Sequence, residues 1–126
     1  MAPSKIALIT GTSTGIGLAT SVHLARHGYR VFAGMRNLDK AGPLREASEG
    51  LPLEIIALDV TSQGSVDKAV ADVQANGPID VLVNNAGIGA ATPLELTPME
   101  EHQAIFDANY FGAIRCIQAV LPAMRE

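Results

Sequence analysis

Four short apolar runs divide the chain: KIALIT at residues 5–10, RVFAGM at 30–35, LEIIALDV at 53–60 and DVLVNN at 80–85. They are rich in Val, Ile and Leu and nearly continuous rather than alternating, the pattern of strands covered on both faces and hence of a parallel sheet. Parallel strands need crossovers, and each gap has room for a helix. The first is expected over about 16–27, running into Arg26, His27 and a Gly28 suited to the left-handed position behind a helix. A weaker one is expected over about 39–48. A third is expected over about 63–75, with Val66, Val70 and Val73 on one face, Thr61 or Ser62 as its cap and Asn76, Gly77 and Pro78 as its stop. The last and clearest is expected from Thr97 to about Met124, with Thr97 as N-cap, Pro98 in the first helical position and Glu100 closing a T-x-x-E capping box. Ile105, Gly112, Cys116, Ile117, Val120, Leu121 and Met124 form its apolar stripe, with Pro122 loosening the final turn. Strand and helix in alternation give right-handed crossovers and an α/β fold with a doubly wound parallel sheet.

Composition narrows the function. The 126 residues are 48% hydrophobic and 17% charged, about one domain's length with enough apolar surface for one core. The formal charge is −4, and the 9 basic residues are scattered singly, so neither nucleic acid nor an anionic membrane is an expected partner. The single cysteine, Cys116, excludes an internal disulfide and reads as a core residue. His23 and His27 are spaced i, i+4 but have no carboxylate between them and no third ligand, so no metal is expected. Nothing approaches the ~20 apolar residues that span a bilayer, and MAPSKIALITG has no cleavable leader pattern, so a cytoplasmic location is expected.

The turn after the first run, ITGTSTGIGLAT at 9–20, leaves a buried strand and enters a helix. Free N–H groups and the positive end of the helix dipole favour a phosphate there. Gly11, Gly15 and Gly17 are spaced G-x-x-x-G-x-G rather than G-x-G-x-x-G. Glycines so placed permit positive φ and close approach of a pyrophosphate, or simply a tight connection with no ligand. A Walker phosphate loop is excluded because no Lys-Ser or Lys-Thr pair follows.

Two further motifs fall beyond the carboxyl ends of strands, where an open α/β sheet binds ligands. Asp59-Val60 closes the third run and NNAG at 84–87 closes the fourth. With TGTSTGIG, these make the chain resemble the short-chain dehydrogenase/reductase family over essentially its whole length. The resemblance implies a Rossmann fold of strand order 3-2-1-4, with residues 1–126 forming an NADP(H)-binding domain that is incomplete at the C-terminus. It implies that Thr10, Gly11, Thr12, Ser13, Thr14, Gly15, Ile16 and Gly17 wrap the pyrophosphate and adenine ribose, that Asp59 bonds the adenine amino group, and that Val60 lines the same pocket. Asn84, Ala86 and Gly87 match the segment that walls the ribose, with Asn85 structural. Asn109, in the context DANYFGA, matches an asparagine that bends its helix and holds a water in a proton relay. Its place on the apolar stripe aims the amide inward.

Coenzyme choice follows from charge at the end of the second strand. An Asp or Glu there would accept the ribose hydroxyls of NAD and repel the extra phosphate of NADP. The residue is Met35, followed by Arg36, whose guanidinium suits a 2′-phosphate, and Asn37, which adds a hydrogen-bonding amide. NADP(H) is therefore favoured over NAD(H), although Thr14 stands where many NADP-preferring relatives carry a second basic residue.

Members of the family move hydride between the nicotinamide and a small-molecule carbonyl or alcohol, with a tyrosine and lysine paired as Y-x-x-x-K and a serine orienting the substrate. Four residues after Tyr29 and Tyr110 stand Ala33 and Ile114, and the lysines are Lys5, Lys40 and Lys68. The resemblance therefore implies the cofactor-binding half of a longer oxidoreductase, with Asn109 as its catalytic contribution and no expected turnover alone. A non-catalytic dinucleotide-binding or regulatory module is the alternative. An open-edged fourth strand exposing Val81, Leu82 and Val83 predicts marginal stability for such a half, and the family's long last helix implies a homo-oligomer for a full-length protein. Only the loop from Ile88 to Leu96 is placed to touch substrate.

Overall fold

A computed structural model describes residues 3–126. Strands β1 (Ile6–Ile9), β2 (Arg30–Met35), β3 (Leu53–Ala57) and β4 (Ile79–Val83) form one parallel sheet in the order β3-β2-β1-β4. The register places Leu8 beside Phe32 and Leu82, and Ile9 beside Ala33 and Val83. Because side chains alternate across a strand, β1 and β2 feed two cores at once. Leu8 and Phe32 pack with Val66, Val70 and Val73 of α3 (Gln63–Gln74) and Cys116 and Val120 of α5 (Gly112–Met124). Ile9, Val31, Ala33 and Met35 pack on the other face with Val22 and Ala25 of α1 (Gly15–Arg26) and Leu44 of α2 (Gly42–Ala47). Helices on both faces make this the doubly wound sheet that the four apolar runs predict.

Four expectations are corrected. The third strand pairs only to Ala57, and the apolar Leu58 and Val60 beyond it are buried as core at the strand's carboxyl end. The T-x-x-E box at Thr97 does not form. Thr97 Oγ1 instead donates back to the Thr92 and Pro93 carbonyls at 3.2 and 2.9 Å, Pro98 takes the cap position, and α4 runs Met99–Phe106. Nor is the last helix uniform. Between α4 and α5 the backbone widens into a π-turn, Asp107–Phe111, closed by the Gly112 N–H donating to the Asp107 carbonyl. Within α5 the buried stripe is narrower than expected: Gly112, Cys116 and Val120 are buried while Ile117 and Met124 face outward. The weak helix expected over 39–48 divides into a 3-10 turn, Leu38–Lys40, and α2.

Burial pushes the Cys116 thiol up to about 11 against a small opposing pull from Arg115, as suits a core residue rather than a nucleophile. Among the described residues no helix is long and apolar enough to cross a membrane, and no three His, Cys, Asp or Glu gather as a metal site.

Candidate functional site

Beyond the carboxyl ends of the strands lies a cleft of about 380 Å³, within the range of small-molecule sites. Its floor is the glycine turn. Gly11 and Gly15 adopt φ of +68° and +59°, in the left-handed region that side chains disfavour. Gly15 opens α1 and has no atom within 4 Å of where a Cβ would stand, so its outer face is free for a ligand. Gly17 serves the opposite purpose: a Cβ there would lie 2.2 Å from the Gly11 carbonyl oxygen and 2.4 Å from Asn85 Nδ2. The missing side chain lets α1 sit against the turn. The Thr14 side chain makes no bond to the first turn of α1, leaving that helix end available to an anion.

The turn is held from behind by Thr10 and Thr12, which do not line the cleft, and from the side by Asn85, which does. Thr10 Oγ1 accepts from the Asn85 and Ala86 N–H groups at 3.0 and 2.9 Å. Thr12 Oγ1 donates to the Gly34 carbonyl at 3.0 Å. Asn85 Nδ2 donates to the Thr10 and Gly11 carbonyls at 3.1 and 2.9 Å. Thr10, Thr12 and Gly17 are buried, and every buried side-chain nitrogen and oxygen among the described residues has a partner.

Of the residues singled out in the sequence, Gly11, Ser13, Thr14, Gly15, Ile16, Arg36, Asn37, Asp59, Val60, Ala86 and Gly87 meet around the cleft. Thr10, Thr12 and Gly17 stand behind it. Asn84 is exposed and lies outside it, whereas Asn85 is on its wall. Sequence reasoning missed Lys40, carried to the rim by its 3-10 turn, as well as Leu58, Thr61 and Ala108, whereas Met35 and Ile88, noted for coenzyme choice and for substrate, also line the cleft. Asn37 Oδ1 accepts from the Asp39 N–H at 3.0 Å and so caps the turn that bears Lys40.

At the far wall, Asp59 Oδ1 accepts from Thr61 Oγ1 at 2.7 Å and from the Thr61 N–H at 3.0 Å. The Thr61 hydroxyl is the main reason that the carboxyl lies below its ordinary value, against a penalty from burial, with Arg36 and Arg115 adding smaller pulls. Helix α3 is capped by Ser62, whose hydroxyl accepts from the Ser65 N–H at 3.2 Å, so the Asp59 carboxylate is not spent as a helix cap.

Asn109 does not point into the core. It is exposed on the π-turn, where Oδ1 accepts from the Ile88 N–H at 2.7 Å and Nδ2 donates to the Ile88 carbonyl at 2.8 Å. The widened turn swings the amide off the apolar stripe and onto the segment after β4. There it pairs with a backbone unit as a neighbouring strand would.

A parallel doubly wound sheet with a glycine turn, a free helix N-terminus and a carboxylate corner around one crevice defines a dinucleotide-binding α/β class. Comparison with known proteins narrows the class. The family model described as short chain dehydrogenase matches residues 5–126. Retinol dehydrogenase 8 of Bos taurus is 45% identical over 128 residues, covering 97% of this chain and 41% of the relative. Estradiol 17-beta-dehydrogenase 1 of Rattus norvegicus is 45% identical over 131 residues, covering 98% of this chain and 38% of the relative. The crystal structure of a gluconate 5-dehydrogenase from Burkholderia cenocepacia J2315, in complex with NADP and tartrate, superposes with a TM-score of 0.84 at 35% identity, covering 96% of this chain and 49% of that one. The chain belongs to the short-chain dehydrogenase family. It spans about two fifths of the length of these two curated relatives.

Proposed function

We propose that the chain binds NADP(H) and supplies the cofactor-binding part of an oxidoreductase acting on a carbonyl or alcohol. The observation that carries this reading is the pairing of a phosphate-suited glycine turn with two cations, Arg36 and Lys40, on the same cleft. Met35 stands where a carboxylate would select NAD. Lys40 answers the want of a basic residue at Thr14. On this reading the free N–H groups of the turn and of the α1 N-terminus take the pyrophosphate, Arg36 and Lys40 take the 2′-phosphate, and Asp59 with Val60 takes the adenine. The bound nicotinamide supplies or accepts the hydride.

Asn109 keeps one lone pair and one N–H beyond its bonds to Ile88, the capacity that a relay water needs. Ile88, Leu94 and Leu96 are exposed on the segment after β4 and suit an apolar alcohol or ketone. The names of the retinol and estradiol dehydrogenases point to that same substrate class.

Titration of the chain with NADPH and NADH tests the coenzyme assignment. Arg36→Ala should cut the preference for NADPH by about tenfold, the scale of one charge-assisted bond to phosphate. An unchanged ratio would overturn it.

A further inference from the structure

The Asp59–Val60 corner is neither helix nor strand, and two kinds of bond hold it. Local ones shape it: the Asp59 N–H donates to Ser65 Oγ at 2.9 Å, the Ser62 N–H to the Asp59 carbonyl at 3.1 Å, and Thr61 to the Asp59 carboxylate. All of these partners lie within six residues of Asp59, so they move with the corner. A different bond places the corner against the rest of the cleft. Arg115, on α5, donates from Nη1 to the Val60 carbonyl at 2.9 Å across 55 residues of sequence. The same guanidinium donates to the Asp107 carbonyl at 3.2 Å and, through Nη2, to Asp107 Oδ1 at 2.5 Å. Its side chain is 23% exposed, so these bonds are partly shielded from water. Packing reinforces the tie, since a Cβ on Gly112 would lie 2.7 Å from Val60 Cγ2. The π-turn that anchors the guanidinium also puts Ala108 on the cleft wall.

We infer that Arg115 is a positioning residue for base recognition: it clamps the Asp59–Val60 corner to the π-turn, so that the corner meets the dinucleotide's base in register. Arg115 does not line the cleft, and it acts through the peptide it holds. The inference rests on the proposed seating of adenine against Asp59. A guanidinium is suited to this task because its planar fork bonds Val60 and Asp107 together, which the point charge of a lysine does less well.

The test is the ratio of affinities for NADPH and for its deaminated analogue, in which hypoxanthine replaces adenine, measured by fluorescence titration. Wild type, Asp59→Ala, Arg115→Met and Arg115→Lys are compared, with thermal melting run in parallel. Wild type should prefer NADPH and Asp59→Ala should abolish the preference. Arg115→Met should lower it about fivefold, the scale of one hydrogen bond, with Arg115→Lys in between. A purely structural Arg115 would lower the melting temperature and weaken both dinucleotides alike, leaving the ratio unmoved. That result, beside an Asp59→Ala that abolishes the preference, overturns the role of Arg115 alone. An Asp59→Ala that keeps the preference overturns the adenine seating and the inference with it. If Arg115→Met does not fold, Arg115→Lys decides: an unchanged ratio there overturns the inference.

Discussion

The glycine turn and the loop from Ile88 to Leu96 follow the carboxyl ends of β1 and β4 and are built in opposite ways. The turn is held by Thr10, Thr12 and Asn85, and Thr10 and Thr12 are 1% and 0% exposed. The loop from Ile88 to Leu96 exposes Ile88, Leu94 and Leu96, and it is tied to a distant part of the sequence by the Asn109 amide on Ile88. Buried, mutually satisfied polar groups make a rigid surface, because breaking any one strands another out of water. A solvent-facing segment on two bonds opens far more cheaply. The cleft thus has one preformed wall, where the phosphates are proposed to sit, and one adaptable wall on the side proposed for substrate.

The sharpest way to break this contrast is at Gly17. An alanine methyl would collide with the Gly11 carbonyl and the Asn85 amide, both fixed by their own bonds. Neither can yield without opening the turn, so Gly17→Ala should cost about 3 kcal/mol or more in denaturant or thermal unfolding. A variant as stable as wild type would show that the turn is softer than its hydrogen bonds imply.

Asn109→Leu tests the other wall. It removes two hydrogen bonds at an exposed position, so a loss of about 1 to 2 kcal/mol is expected. The local signature is more telling than the total. Hydrogen exchange of the Ile88 amide should accelerate while the amides of Asn85 and Ala86, bonded to Thr10, stay protected. Equal acceleration at both would merge the two walls into one cooperative unit.

The same division explains what could be read in advance. The sheet, its order and the glycine turn were legible because each is a local pattern whose consequence is short-range: continuous apolar runs for covered strands, glycines where a strand meets a helix. Reach and rotation were not. Thr97-Pro98-Met99-Glu100 has the letters of a capping box, but the Thr97 hydroxyl finds carbonyls four and five residues back and never turns toward the helix. The π-turn at Asp107–Phe111 keeps an apolar periodicity close to that of an α-helix while rotating everything after it, so Asn109 was misplaced into the core. Of the twin asparagines, Asn85 lines the cleft and Asn84 does not. Lys40 and Arg115 depend on where a long side chain ends, which spacing alone does not record. Arg115 meets Asp107 eight residues away, outside the i, i+3 and i, i+4 neighbours of a helix.

The smallest expected effect comes from Asp59, on the far wall of the cleft. The Thr61 hydroxyl bonds the ionised carboxyl and lowers its titration from the ordinary 3.8, outweighing burial. A carboxyl depressed on folding contributes stability that is fully present above 3.8 and is lost as pH falls through the lower folded value. Thr61→Val removes the largest favourable cause and leaves burial and the Thr61 N–H in place. The difference in unfolding free energy between wild type and this variant should be below about 1 kcal/mol at neutral pH, because the pair is partly solvated. It should shrink once the carboxyl protonates below 3.8. A difference constant from neutral pH down to acid would mean that the hydroxyl acts on the fold without regard to charge. Asp59 would then be an ordinary turn residue, and the far wall would hold no tuned carboxylate for a base to meet.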